Sequence, residues 1–219
     1  MVYSSLVVQL STVVILLLAL VLAFFITREY SVKRARPLLF WSVGLWMFAA
    51  GVAIEVLFAF NIYYGWLADL YVAVVALLVQ FLAVGSMQLV KSPMARKAYY
   101  LFCVATTAFL LYSVVAFPAA YILNSVGVAV KPTSTMATVA SLLMTLPAAG
   151  ILVAVALLTY IKTRNPKMLS IIAGVVVVSF AGTLYIVSFP ALLYYSEFIG
   201  ILLLWIGFFD MRMLRPTGR

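Results

Sequence analysis

Seven apolar stretches, each about as long as a helix must be to cross a bilayer, fill most of this chain. They cover residues 6–26, 38–60, 66–90, 98–117, 138–161, 168–187 and 191–209. A span needs roughly 20 apolar residues to cross a hydrocarbon core about 30 Å thick. Lipid offers the backbone no hydrogen-bond partner, so a spanning segment closes its own bonds, as a helix or within a barrel. A barrel strand alternates apolar and polar positions, whereas these stretches are apolar on all sides. The β-branched run Val175–Val178, which would favour strand in water, is overridden on the same ground. The expected fold class is all-α, a polytopic transmembrane bundle of seven helices forming a single domain over residues 1–219. Composition agrees: 68% of residues are hydrophobic and 9% charged, against about 45–50% and about 25% in a soluble domain.

The charges orient the bundle. Arg28, Lys33, Arg34 and Arg36 follow the first stretch; Lys91, Arg96 and Lys97 follow the third; Lys162, Arg164 and Lys167 follow the fifth; Arg212, Arg215 and Arg219 follow the seventh. The last of the 14 basic residues, Lys131, is the only one on the opposite side. Basic loops face the cytoplasm, so the N-terminus is expected outside and the C-terminus inside, in a multi-pass protein of the plasma (cytoplasmic) membrane. The formal charge of +9 is then a topology signal rather than a nucleic-acid footprint, and no nucleic-acid partner is expected. Arg34, Arg36, Arg96, Lys97 and Arg164 are expected to contact anionic lipid headgroups, which makes membrane lipids the first partners. The first stretch has no basic leader and is too long for the core of a signal peptide; it reads as a retained helix.

The connections are short. Pro37, Pro93 and Pro166 lie at or near the starts of helices two, four and six, where a missing N–H costs nothing. Pro147 falls inside helix five and is expected to kink or loosen it. Ser188-Phe189-Pro190 makes a tight outer turn. The one long connection, 118–137, is expected to carry a short interfacial helix. A parallel repeat of helices one to three in helices five to seven is suggested by Thr27-Arg28 and Thr163-Arg164, by Phe48-Ala49-Ala50-Gly51 and Phe180-Ala181-Gly182, and by one acid in each third member, Asp69 and Glu197. Gly44 and Gly51, Gly174 and Gly182, and Gly200 and Gly207 keep near one face of their helices, as close helix packing requires.

The chain has no histidine and one cysteine, Cys103, within an apolar run. No cofactor is expected: His-ligated haem and metal sites are excluded, and so are an intrachain disulfide and a histidine base. Cys103 reads as a small packing residue. Retinal needs a lysine in helix seven, and 191–209 has none. No phosphate cradle or nucleophile elbow is present, and no catalytic residue is assigned.

Five acids remain. Glu29 and Asp210 sit among basic residues. Glu55, Asp69 and Glu197 belong to the outer half of the membrane, Glu55 and Glu197 on the order of 10 Å inside their helix ends at ~1.5 Å per residue. A carboxylate at that depth must be paired, protonated or facing water, which makes it a functional candidate. Tyr71 and Tyr194 are the aromatic partners expected to complete a ligand- or proton-binding site with these three acids. Tyr63, Tyr64, Tyr185, Tyr195, Gln80 and Ser196 are further candidates, although Trp66 and several tyrosines also fit an interfacial belt.

Arg36-Pro37-Leu38-Leu39-Phe40-Trp41, Gly85 and Ser196-Glu197-Phe198-Ile199-Gly200 resemble an uncharacterised family of prokaryotic seven-helix integral membrane proteins. They also resemble the seven-helix sensor regions that precede some bacterial signalling domains. About ten residues follow helix seven, so a sensor of this kind would act through a separate partner. The expected function is non-enzymatic binding of a small ligand, lipid or ion in an outward-facing pocket, transporter-like or sensor-like. The alternative is an accessory or structural subunit, packed against other membrane subunits or a second copy of itself.

Overall fold

The computed structural model describes residues 2–124, 127–131, 134–164, 169–174, 176–177 and 190–209. These form a helical bundle with one small hairpin. Helices α1 (Val2–Lys33), α2 (Arg36–Ala59), α3 (Gly65–Met87) and α4 (Pro93–Ala116) follow one another by short links. The strands β1 (Ala120–Asn124) and β2 (Gly127–Lys131) come next, then α5 (Thr135–Thr163). The helical residues 169–174 and 176–177 form α6, and α7 is Pro190–Phe209. Among the described residues, α1 to α5 are long and apolar enough to cross a membrane, and Tyr195–Gly207 of α7 is a shorter apolar helix. The chain is therefore a membrane protein of helical spans.

Local chemistry sets the ends. Pro37 and Pro93 stand in the first turns of α2 and α4. The Ser92 and Ser134 hydroxyls accept from the Ala95 and Ala137 N–H groups, capping α4 and α5. At the other ends of α1 and α5, Arg34 (φ 50°) and Arg164 (φ 52°) adopt the left-handed conformation. Their N–H groups donate to Tyr30 O and Tyr160 O, both at 2.7 Å. A side chain in that conformation costs about 1 kcal/mol, and a cation beside the helix C-terminus offsets part of it.

Two expectations change. The first basic connection shrinks to Arg34 and Ala35, because α1 continues past its apolar run to Lys33. The Glu29–Lys33 ion pair, 2.5 Å across one turn, supports that added length, since residues four apart share a helix face. The interfacial helix expected in 118–137 is instead an antiparallel hairpin, paired from Ala120↔Lys131 to Asn124↔Gly127. Tyr121, Ile122, Val128 and Val130 are aromatic or β-branched, and with Asn124 and Gly127 at the turn they favour strands over helix. α5 runs as one helix through Pro147. Pro166, Ser188, Phe189 and Gly182 lie outside the described residues.

α2 and α3 bury 56% and 61% of their apolar windows, against 33%, 33% and 28% for α1, α4 and α5. They are the inner rods. α1 packs on α2 and α7, α2 on α3, and α3 on α4 and α5. The Gln9 amide near the start of α1 donates to Ala59 O at the end of α2 (3.0 Å), so these helices are antiparallel. Trp205 near the end of α7 donates to Leu18 O (3.2 Å) and meets Phe25 edge-on at 5.7 Å, which fastens α7 to α1.

Two glycine-mediated crossings match. On α2, Gly44 lies so close to α3 that a Cβ would stand 2.9 Å from Leu82 and 3.2 Å from Leu78 O, while one on Gly85 would stand 2.5 Å from Trp41. On α6, a Cβ on Gly174 would stand 3.1 Å from Leu204 and 3.2 Å from Gly200 O, and one on Gly207 2.2 Å from Ile171. Trp41 and Gly44 keep the spacing of Ile171 and Gly174. Leu78, Leu82 and Gly85 keep that of Gly200, Leu204 and Gly207. Gly51, by contrast, would make only ordinary contact, 3.7 Å from Val75.

Candidate functional site

The end of the bundle where α2 stops and α3 and α7 begin also carries the hairpin. Glu55 lies one turn before the end of α2, and Glu197 lies seven residues into α7. The fold brings the two acids near each other, from helices far apart in the chain. Glu55 is 2% exposed and Glu197 7%, and their carboxyls are close neighbours. Tyr71, from the second turn of α3, donates its phenol to Glu55 Oε1 at 2.6 Å. Phe58, one turn after Glu55, covers the Tyr71 ring edge-on at 5.9 Å.

Two oxygens are left over. Glu55 Oε2 and Glu197 Oε2 are buried, and neither has a hydrogen-bond partner. Among the described residues the one ion pair is Glu29–Lys33, at the opposite end. An ionised carboxylate can only accept, so two carboxyls hydrogen-bond to each other only with a proton between them. Burying an uncompensated charge in such a place costs several kcal/mol by order of magnitude. What the arrangement can do chemically is hold a proton, or exchange it for a small cation.

Asp69 is not part of this pair. It is half-buried and accepts from the Ala119 N–H at 2.6 Å, at the foot of β1. Residues two apart on a helix do not share a face, so Asp69 and Tyr71 necessarily point to different neighbours; that signal was available in the sequence. The Tyr194 side chain and all of Tyr185 lie outside the described residues. Tyr195 is exposed, and Tyr64 and Trp66 are exposed and stack at 6.4 Å, as interfacial aromatics do. Tyr63, between α2 and α3, donates to Phe58 O and Asn61 Oδ1, and burial raises its phenol above the usual value. Phe58 is the site residue that the sequence reading missed, since nothing but helix spacing marks it.

Gln80 builds a different cluster. Its amide nitrogen donates to Thr106 Oγ1 (3.0 Å) and Cys103 O (3.3 Å), and its oxygen accepts from Thr107 (2.8 Å). At the far end of the bundle Arg34, Arg36, Lys97 and Arg164 are exposed and Arg96 is half-buried. Lys97 lines a groove of about 440 Å³ with Pro93, Met94, Ala98 and Leu101. Lys167, Asp210, Arg212, Arg215 and Arg219 lie outside the described residues. Comparison with protein-family models, curated proteins and solved structures finds no match.

Proposed function

We propose that this chain spans the membrane seven times, with the N-terminus outside, and binds a proton or a small cation between Glu55 and Glu197 in a transporter-like or sensor-like role. One observation carries the reading: two neighbouring carboxyls from distant parts of the chain, buried with an unpartnered oxygen each and, among the described residues, in no ion pair. In a bilayer such a pair persists at a cost to stability, and function is the ordinary reason for it. Tyr71 positions Glu55 by donating to one oxygen and leaving the other free for the exchange. The accessory-subunit alternative is less well supported, because it needs these acids on a face offered to a partner, and both are enclosed by this chain. The basic end, with Arg34, Arg36, Arg96, Lys97 and Arg164, faces anionic headgroups of the inner leaflet. The parallel repeat is favoured by the matched glycine crossings of α2–α3 and α6–α7. In that frame Glu197 aligns with Val75 rather than Asp69, so the second half supplies an acid that the first lacks.

The test is chemical. A lipid-soluble carbodiimide reacts with protonated carboxyls in apolar surroundings. The protein in lipid nanodiscs is expected to be modified at Glu55 or Glu197, as located by peptide mass spectrometry. Glu55→Gln and Glu197→Gln each remove one acceptor of the reagent. Modification confined to Glu29, with neither buried acid touched, would sink the proposal.

A further inference from the structure

We infer that the groove along the first turns of α4 holds one anionic phospholipid, with its phosphate on Lys97 and an acyl chain against Met94, Ala98 and Leu101. This rests on the proposed contact of the basic end with headgroups and narrows that contact to a site. The groove has a volume of about 440 Å³ and is lined by Pro93, Met94, Lys97, Ala98 and Leu101. Met94, Lys97, Ala98 and Leu101 follow one another at helical spacings of three and four, so they share a face. From Pro93 to Leu101 the helix rises roughly 12 Å at ~1.5 Å per residue. The headgroup layer on each side of a bilayer is about 6 Å thick. A groove that starts at the helix end therefore passes the headgroups and enters the acyl region, which suits an amphiphile better than a free ion.

Hydrocarbon and charge together name the occupant. Met94 is 81% exposed and Leu101 74%, and Val104 beyond them is exposed too. The buried side of α4 is the other one, with Tyr99, Cys103, Thr106 and Leu110. The outward stripe is apolar, and on a spanning helix acyl chains are its solvent. Lys91, Arg96 and Lys97 crowd the start of the same helix, and its first turn holds no acid. Cations are disfavoured at a helix N-terminus, where the dipole is positive. Among the described residues the one ion pair is Glu29–Lys33, so no described carboxylate neutralises these three. An anion from outside the chain supplies the missing charge. Lys97 is the one of the three that lines the groove. A lysine so placed lays its apolar stem along a lipid chain and raises its ammonium to the phosphate. A zwitterionic headgroup brings its own cation and relieves the crowding less, so the lipid selected carries net negative charge.

The test counts lipids. The full-length protein in detergent micelles is titrated with phosphatidylglycerol, or with phosphatidylcholine of the same chains, and bound lipid is counted by native mass spectrometry. The wild type is expected to retain one phosphatidylglycerol at concentrations where phosphatidylcholine is lost. Each basic residue near a headgroup strengthens binding of an anionic lipid about fivefold. Lys97→Gln is therefore expected to weaken phosphatidylglycerol binding about fivefold. Lys162→Gln removes the same charge from the same end but outside the groove, and stays near the wild-type value. Ala98→Phe keeps every charge, fills the groove from an exposed position and weakens binding at least as much as Lys97→Gln. Equal weakening by Lys97→Gln and Lys162→Gln overturns the site and leaves a general attraction of the basic end for headgroups. Unchanged binding in Ala98→Phe also overturns it, because no chain then lies in the groove. Displacement of the lipid by inorganic phosphate at the same concentration overturns the choice of a lipid. A wild type with no preference for phosphatidylglycerol removes both the site and the proposed headgroup contact, while the Glu55–Glu197 pair keeps its own carbodiimide test.

Discussion

α3 carries two buried polar clusters about two and a half turns apart, and they differ in one respect. Around Gln80 the polar groups are used: both directions of the amide are bonded to α4, and Thr106 also donates back to Phe102 O. Around Tyr71 the bonding stops short, with one oxygen of Glu55 and one of Glu197 unpartnered. A closed cluster in lipid is glue between helices, since a polar side chain there either finds a partner or pays for lacking one. An open cluster weakens the fold it sits in. The difference teaches where to look for function: in the cluster whose remaining bond requires something from outside the chain.

The largest expected effect tests that division directly. Replacing both acids, Glu55→Gln with Glu197→Gln, should abolish the protonated-carboxyl band in infrared difference spectra across a pH jump. Fold stability should be held or raised, because two buried carboxyls are replaced by neutral amides. Resistance to unfolding in mixed detergent micelles supplies the second measurement. A double variant that keeps the full infrared signal would place the titrating group elsewhere. One that unfolds outright would make the pair structural, like Gln80.

Gln80→Leu should give the converse result. It strands Thr107 and removes the α3–α4 bridge, so unfolding in micelles should become easier by about 1–2 kcal/mol, with carbodiimide modification of Glu55 and Glu197 unchanged. A change at the acids in Gln80→Leu would mean that the clusters are coupled along α3 and that the contrast between them is not one of function.

The sequence made some of this legible and concealed the rest for a physical reason. Helix lengths and the two deep acids follow from apolar runs and from the cost of charge in lipid, so Glu55 and Glu197 could be singled out without coordinates. Their pairing could not be read. In water a helix announces its buried face by amphipathicity, but here lipid and bundle interior are equally apolar, and nothing in α2 or α7 says which way it is rotated. Tyr71 meeting Glu55 and Gln80 meeting Thr107 are both consequences of that hidden rotation. Asp69 was grouped with the pair by depth alone, although its two-residue offset from Tyr71 already argued for another face. The stretch 118–137 is read as an interfacial helix from its place at a membrane surface, whereas Tyr121, Ile122, Val128 and Val130 carry the strand preference that the hairpin follows.

Tyr71→Phe should have an intermediate effect on the open cluster. It keeps the ring against Phe58 and removes only the donor to Glu55 Oε1. A hydrogen bond of this kind contributes about 1 kcal/mol, so stability should fall by no more than that. The second oxygen of Glu55 is then left without its phenol donor, and a proton shared by the carboxyls has more places to sit. The infrared band of the pair should broaden and shift while its amplitude persists. An unshifted band would show that the phenol does not position Glu55, and that the carboxyl pair is set by helix packing alone.

Thr107→Val should have the smallest effect, and it is the sharpest check on the closed cluster. Threonine and valine have nearly the same shape, so the change leaves packing intact and deletes one donor to the Gln80 oxygen. Thr106 still accepts from the Gln80 nitrogen, so the bridge between α3 and α4 survives in part. Hydrogen bonds between membrane helices contribute about 0.6 kcal/mol on average in double-mutant cycles. Combining Thr107→Val with Gln80→Leu should therefore destabilise less than the sum of the two by about that amount. Strict additivity would mean that the bond does not contribute to the fold. The Gln80 cluster, although closed, would then be no more a stabilising element than the pair at the other end of the helix.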